Sequence, residues 1–165
     1  MSATIEIVKQ TGAAPGSETS VSGIALKSID DATTTAPNSP IVILDSGINY
    51  SYESWIRFKC TVAPDNQCTT FKVWGSGAAI SGGTFKITLN TDSVSSYSTP
   101  VILQSSQGTR ADFASHGSGS KVSVSGTLTD ADQYTDFIVF QAEVFDTALP
   151  GNIAQQTVYY EYTES

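Results

Sequence analysis

Between Asn49 and Gly77 the chain alternates apolar and polar residues, turns once, and alternates again, in the run "NYSYESWIRFKCTVAPDNQCTTFKVWGSG". Strict alternation has the period of a β-strand, because successive side chains point to opposite faces. Almost nothing in the 165 residues has helical periodicity. Short alternating runs are separated by clusters of Gly, Ser, Asn, Asp and Pro, which is the pattern of an all-β chain. The runs predict strands over Thr4–Lys9, Val21–Lys27, Pro40–Leu44, Asn49–Val62, Thr69–Trp74, Thr84–Asn90, Pro100–Gln104, Lys121–Leu128, Phe137–Phe145 and Gln155–Thr163. Their spacing predicts a single-domain antiparallel β-sandwich or jelly roll, with a barrel as the alternative.

Loops are read at Gly12–Ser20, Asp30–Ser39, Gly75–Gly83 and Ser115–Ser120. No repeat of fixed period is visible. The first forty residues carry the weakest pattern. "TIEIV" is a β-prone run followed by the polar leash "KQTGAAPGSETS", so residues 1–20 are read as an N-terminal arm before a sandwich domain at 21–165. Such an arm pairs within its own sheet or, through Ile5 and Ile7, with a neighbouring molecule.

In Asn49–Val62, Tyr50, Tyr52, Ile56, Phe58, Cys60 and Val62 share one face. Glu53, Trp55, Arg57 and Lys59 share the other. The first face is core-like and the second amphipathic. Across the turn "APDNQ", Phe71 and Val73 share a face, and Thr70, Lys72 and Trp74 the opposite one. Reading the two runs as a hairpin places Cys60 and Cys68 opposite each other. They form a disulfide or remain two reduced thiols, the latter fitting synthesis in a cytoplasm. Trp55 and Trp74 have two readings. They stack with Arg57, Lys59 and Lys72 as a cation–π cluster, or they form an aromatic platform for a protein partner or a glycan. "TDFIVFQAEVF" begins apolar on both faces and predicts a central strand, one face of which reaches solvent at Gln141.

Motifs for chemistry are sparse. His116, in "SHGSGS", is the single histidine and reads as a loop residue. Neither glycine-rich loop leads into Gly-Lys-Ser or Gly-Lys-Thr, so phosphate binding has no support. Asp130, Asp132 and Asp136 lie in one loop, and Asp130 and Asp132 have the spacing that starts a calcium loop, but the turn glycine and distal Glu are missing, and the three read as an acidic turn. Two cysteines and one distant histidine do not make a zinc set. No catalytic residue, metal or cofactor is expected.

Composition bears on the setting. The net charge of −8 repels phosphate backbones, so nucleic acid is not an expected partner. Charged residues are only 15% of the chain, while Ser and Thr make up about a quarter, a surface solvated by hydroxyls. No apolar run has the length of a membrane span, and the N-terminus has no secretory pattern. An outside-type surface without an export signal fits a particle assembled in a host cytoplasm.

Two stretches carry a resemblance. Ile48–Gly75 resembles a segment of small structural proteins of tailed bacteriophages, and Gln155–Ser165, "QQTVYYEYTES", resembles their C-terminal strand. The resemblance implies a virion component: a capsid decoration (cement) protein, or a neck or tail accessory protein. Its partners would be the major capsid protein or neck and tail proteins, with homo-oligomers on the particle and no catalytic residues. The rival expectation is a carbohydrate-binding sandwich using Trp55 and Trp74.

Overall fold

A computed structural model describes residues 2–33, 39–76, 84–151 and 156–165. Most of the loop read at Gly75–Gly83, part of that at Asp30–Ser39, and the first residue of the strand expected at Gln155 lie outside the described residues. The described chain forms strands β1 (Thr4–Thr11), β2 (Ser17–Ser20), β3 (Ile48–Tyr50), β4 (Ser54–Val62), β5 (Cys68–Gly75), β6 (Phe85–Asn90), β7 (Arg110–Asp112), β8 (Val122–Val124), β9 (Ile138–Phe145) and β10 (Val158–Glu164). The larger sheet runs β2-β1-β4-β9-β6-β7, and β3 continues the β4 flank of β9. The smaller runs β10-β5-β8. All pairings are antiparallel. The all-β sandwich expected from alternation is present, and β9 is central.

The two runs around "APDNQ" are not a hairpin. β4 pairs with β1 and β9 in one sheet, while β5 pairs with β10 and β8 in the other. Residues 63–67 arch from sheet to sheet. Each run has one apolar face, and the two faces can cover each other only from opposite layers. The Phe58 and Phe71 rings stack across the gap with centroids 5.4 Å apart. Cys60 and Cys68, at the mouth of the arch, are free buried thiols. Burial pushes both thiols above their ordinary pKa.

Ile56, Phe58, Cys60, Ile138 and Phe140 face Phe71, Val73, Val122, Val124 and Leu128 in the main core. Tyr52, grouped with this face in the sequence, is only half-buried. Phe113 closes the layer edge-on against Phe140 at 5.3 Å. Gly75 makes room for it: a Cβ there would lie 2.9 Å from the Phe113 ring.

Residues 2–20 are not a free arm. β1 is an interior strand paired with β4 from Thr4 to Gln10 and with β2 from Val8 to Thr11. Alternation in "TIEIV" turns Ile5 and Ile7 toward the main core, which fixes the segment within its own sheet. The expected strands Val21–Lys27, Pro40–Leu44 and Pro100–Gln104 do not form. The run Asn49–Val62 is interrupted at Ser51–Glu53. There the N–H groups of Tyr52 and Glu53 donate to the C=O groups of Lys27 and Val101. Two short strands, β2 and β7, arise where none was expected.

Candidate binding surfaces

Trp55 does not stand on an open face. It is fully buried beneath the connection from Thr91 to Thr109, which lies over the outer side of the larger sheet. The rings of Tyr97 and Phe137 meet it edge-on at 5.3 and 5.6 Å. Its indole N–H donates to Glu53 Oε2 at 3.0 Å, and the same oxygen accepts from Val101 N–H at 3.3 Å. A glycan or partner cannot reach this tryptophan while the connection is in place.

Polar side chains hold that connection down. The Gln141 amide donates to Ser51 O at 2.9 Å and Leu103 O at 2.7 Å, and its Oε1 accepts from Ser105 N–H at 2.9 Å. The expectation that β9 reaches solvent at Gln141 therefore fails. The side chain is buried, and its hydrogen-bonding capacity is used on backbone groups that have no ladder partner. Asn90 Oδ1 accepts from Val139 N–H at 2.6 Å. The Arg110 guanidinium donates to Val139 O and Thr88 Oγ1 at 2.6 and 2.7 Å. Burial brings the Arg110 pKa down to about 10.

Arg57 and Lys59 lie on the same outer face but do not stack on tryptophan. The guanidinium carbon of Arg57 sits 3.8 Å from the Tyr134 ring centroid and 4.6 Å from that of Phe137. Arg57 also pairs with Glu18 at 2.9 Å. Lys59 lies 3.4 Å from both Glu18 and Asp132. Its hydrogen bond to Tyr134 holds its pKa above the usual lysine value, with Asp132 and Glu18 acting in the same direction. Tyr134, in "DADQYTD", is the aromatic partner that the sequence reading missed. Alternation has no force in that turn, so only the fold brings it to β4.

Trp74 is half-buried on the outer side of the smaller sheet. Its cross-strand neighbour Tyr159 stacks on it at 5.7 Å, and Lys121 Nζ lies 4.2 Å from its ring centroid. Glu161 binds Lys121 at 2.6 Å and Lys72 at 4.0 Å. The two tryptophans thus belong to different sheets and share no platform. Ile5 and Ile7 serve the core.

The three acidic turn residues do not converge. Asp130 accepts from Thr129 and Gln133, Asp132 pairs with Lys59, and Asp136 accepts from Ser93. Among the described residues no group of three His, Cys, Asp or Glu side chains is placed to hold a metal ion. His116 Nδ1 lies 2.9 Å from Ser120 O within its own turn.

One surface has no signature in the sequence. The runs Ser39–Leu44 and Thr99–Leu103, each containing a proline followed by branched apolar residues, leave Val42, Leu44, Val101, Ile102 and Leu103 exposed, Leu103 by 72%. Both runs are tied to the segment beside β9. Val42 O accepts from Asn49 Nδ2 at 2.8 Å, and Val101 O accepts from Glu53 N–H at 3.0 Å. Ile48, also exposed, lies in the same segment. Six of the eleven large apolar side chains exposed among the described residues thus gather around Ile48–Glu53. The runs read as strands because they are β-prone. They form no ladder.

No protein-family model, curated protein or solved structure matches the chain.

Proposed function

We propose that this chain is a non-enzymatic structural module of a tailed-bacteriophage particle, a capsid decoration protein or a neck or tail accessory protein, that acts by adhesion. The observation that carries the reading is the apolar rim around Ile48–Glu53. Clustered exposed apolar side chains bordered by polar residues mark interaction sites more often than scattered ones do. On a symmetric shell, many copies of a modest contact add up through effective concentration. The resemblance of Ile48–Gly75 to phage structural proteins supplies the setting.

The test is location and loss. Imaging of purified particles with a label on this chain should place it on the shell, neck or tail. Val42→Asp combined with Leu103→Asp should leave the protein folded and strip it from particles. Full occupancy by the double variant would remove the rim from the account, and absence of the chain from particles would end the reading. A glycan-binding reading keeps one supporting observation, the partly exposed Trp74–Tyr159 pair, because Trp55 is buried. Oligosaccharide titrations that change the fluorescence of the wild type but not of Trp74→Phe would favour it.

A further inference from the structure

Edge strands expose unpaired N–H and C=O groups, and proteins usually keep such strands short. Among the described residues, the four strands that end the two sheet orders differ sharply. β2 has 4 residues, and β7 and β8 have 3 each, but β10 has 7. Among the described residues no strand pairs with the outer side of β10. Tyr159 and Tyr160 stand exposed on it.

Charged residues commonly block such an edge, and β10 carries Glu161 and Glu164. Both are engaged inside the molecule. Glu161 is neutralised by Lys72 and Lys121 of its own sheet. Glu164 accepts from Ser2 Oγ at 3.1 Å and from Ala3 N–H at 2.6 Å. The pairing of β10 with β5 shifts register between Glu161 and Thr163, so the regular part of the edge is Val158–Glu161.

We infer that β10 pairs with β10 of a second copy of this chain, antiparallel about a two-fold axis at Tyr160, joining two three-stranded sheets into one of six strands. Charge weighs against the register centred on the next residue. With Tyr160 on the axis, Glu161 lies opposite Tyr159 of the second copy, whereas an axis at Glu161 would set two carboxylates face to face. The pairing also covers Tyr160, which packs on Phe58 at 5.4 Å and is 41% exposed at the open side of the sandwich. A two-fold contact of this kind is isologous and closes at a dimer. It does not depend on what the apolar rim binds, and it is present in the isolated protein.

Sedimentation of the full chain over a concentration series should show a monomer–dimer equilibrium. Tyr159→Glu, on the outer surface, sets like charges opposite Glu161 twice per dimer and should weaken association roughly tenfold. Tyr159→Lys should retain or tighten it. Tyr160→Cys should give a covalent dimer under mild oxidation, under conditions in which the wild type, whose thiols are buried, gives none. A wild-type chain that stays monomeric to millimolar concentration overturns the inference. So does a dimer indifferent to the charge at residue 159.

Discussion

The two faces of β4 are built by different rules. Its inward face sets Ile56, Phe58 and Cys60 against the other sheet, and apolar contact is nearly the whole of the interaction. Its outward face buries Trp55 just as completely, yet the layer above is irregular chain held by Glu53, Asn90 and Gln141. Apolar faces of two regular sheets cover each other without further devices. An irregular segment brings backbone groups that have lost water and have no ladder, so side chains must satisfy them one at a time.

The largest expected effect tests the inner face. Phe58→Ala should destabilise the protein by about 3–5 kcal/mol through the cavity it leaves. A shift in denaturation midpoint worth less than about 1 kcal/mol would mean that the arch packing is not the principal core. Next comes the outer layer. Gln141→Leu keeps the approximate volume but leaves Ser51 O, Leu103 O and Ser105 N–H without their partner, an expected loss of about 2–4 kcal/mol. If the variant is as stable as the wild type, polar pinning is not what holds the connection.

These two sites also mark what the sequence made legible. Phe58, Phe71, Ile138 and Phe140 could be placed on buried faces because period-two alternation reports burial directly. The side of the arch on which β5 lands could not. Hairpin and arch have the same local pattern, and only the mutual covering of the two faces chooses between them. Alternation puts Trp55, Arg57 and Lys59 on one face, but it carries no sign that the face is covered. The connection that covers it has no periodicity, and Gln141 reads as a solvent-facing residue until its three backbone partners are known. For a related reason alternation leaves open whether "TIEIV" pairs within its own sheet or with a neighbour: the partner that settles it lies about fifty residues away on β4.

Smaller effects sharpen the contrast along the rest of the outer face. Arg57→Ala removes a cation from two aromatic rings and an ion pair with Glu18, an expected loss of about 1–2 kcal/mol that thermal unfolding would register. Arg57→Lys should recover only part of it, because the planar guanidinium is what stacks. On the inner side, the thiols of Cys60 and Cys68 should resist a thiol-specific reagent at neutral pH until the protein unfolds, since burial raises both pKa values. Rapid labelling in native buffer would show the arch mouth to be open.

The smallest effect is a pH dependence. The hydrogen bond from Lys27 holds the Asp31 carboxyl below its ordinary pKa. A depressed folded-state pKa contributes stability that is present above the unfolded value. It is lost as pH falls through the folded value. Asp31→Asn should therefore lower stability slightly at neutral pH and flatten the acid limb of the stability profile, because the variant has no such contribution to lose on acidification. An unchanged acid limb would remove this pair from the set of stabilising contacts.

The central claim is that one β4 face belongs to a cooperative apolar core and the other to a separately held cover. Native-state hydrogen exchange measures this most directly, because it reads the opening free energy of each N–H group. The Trp55 indole N–H and the Val101 and Ser105 amides should exchange through an opening that leaves the β4–β1 and β5–β10 ladders protected. Gln141→Leu should accelerate that opening selectively. If the cover groups instead exchange only with global unfolding, at the same free energy as Phe58 and Phe71, the two layers are one cooperative unit and the account is wrong.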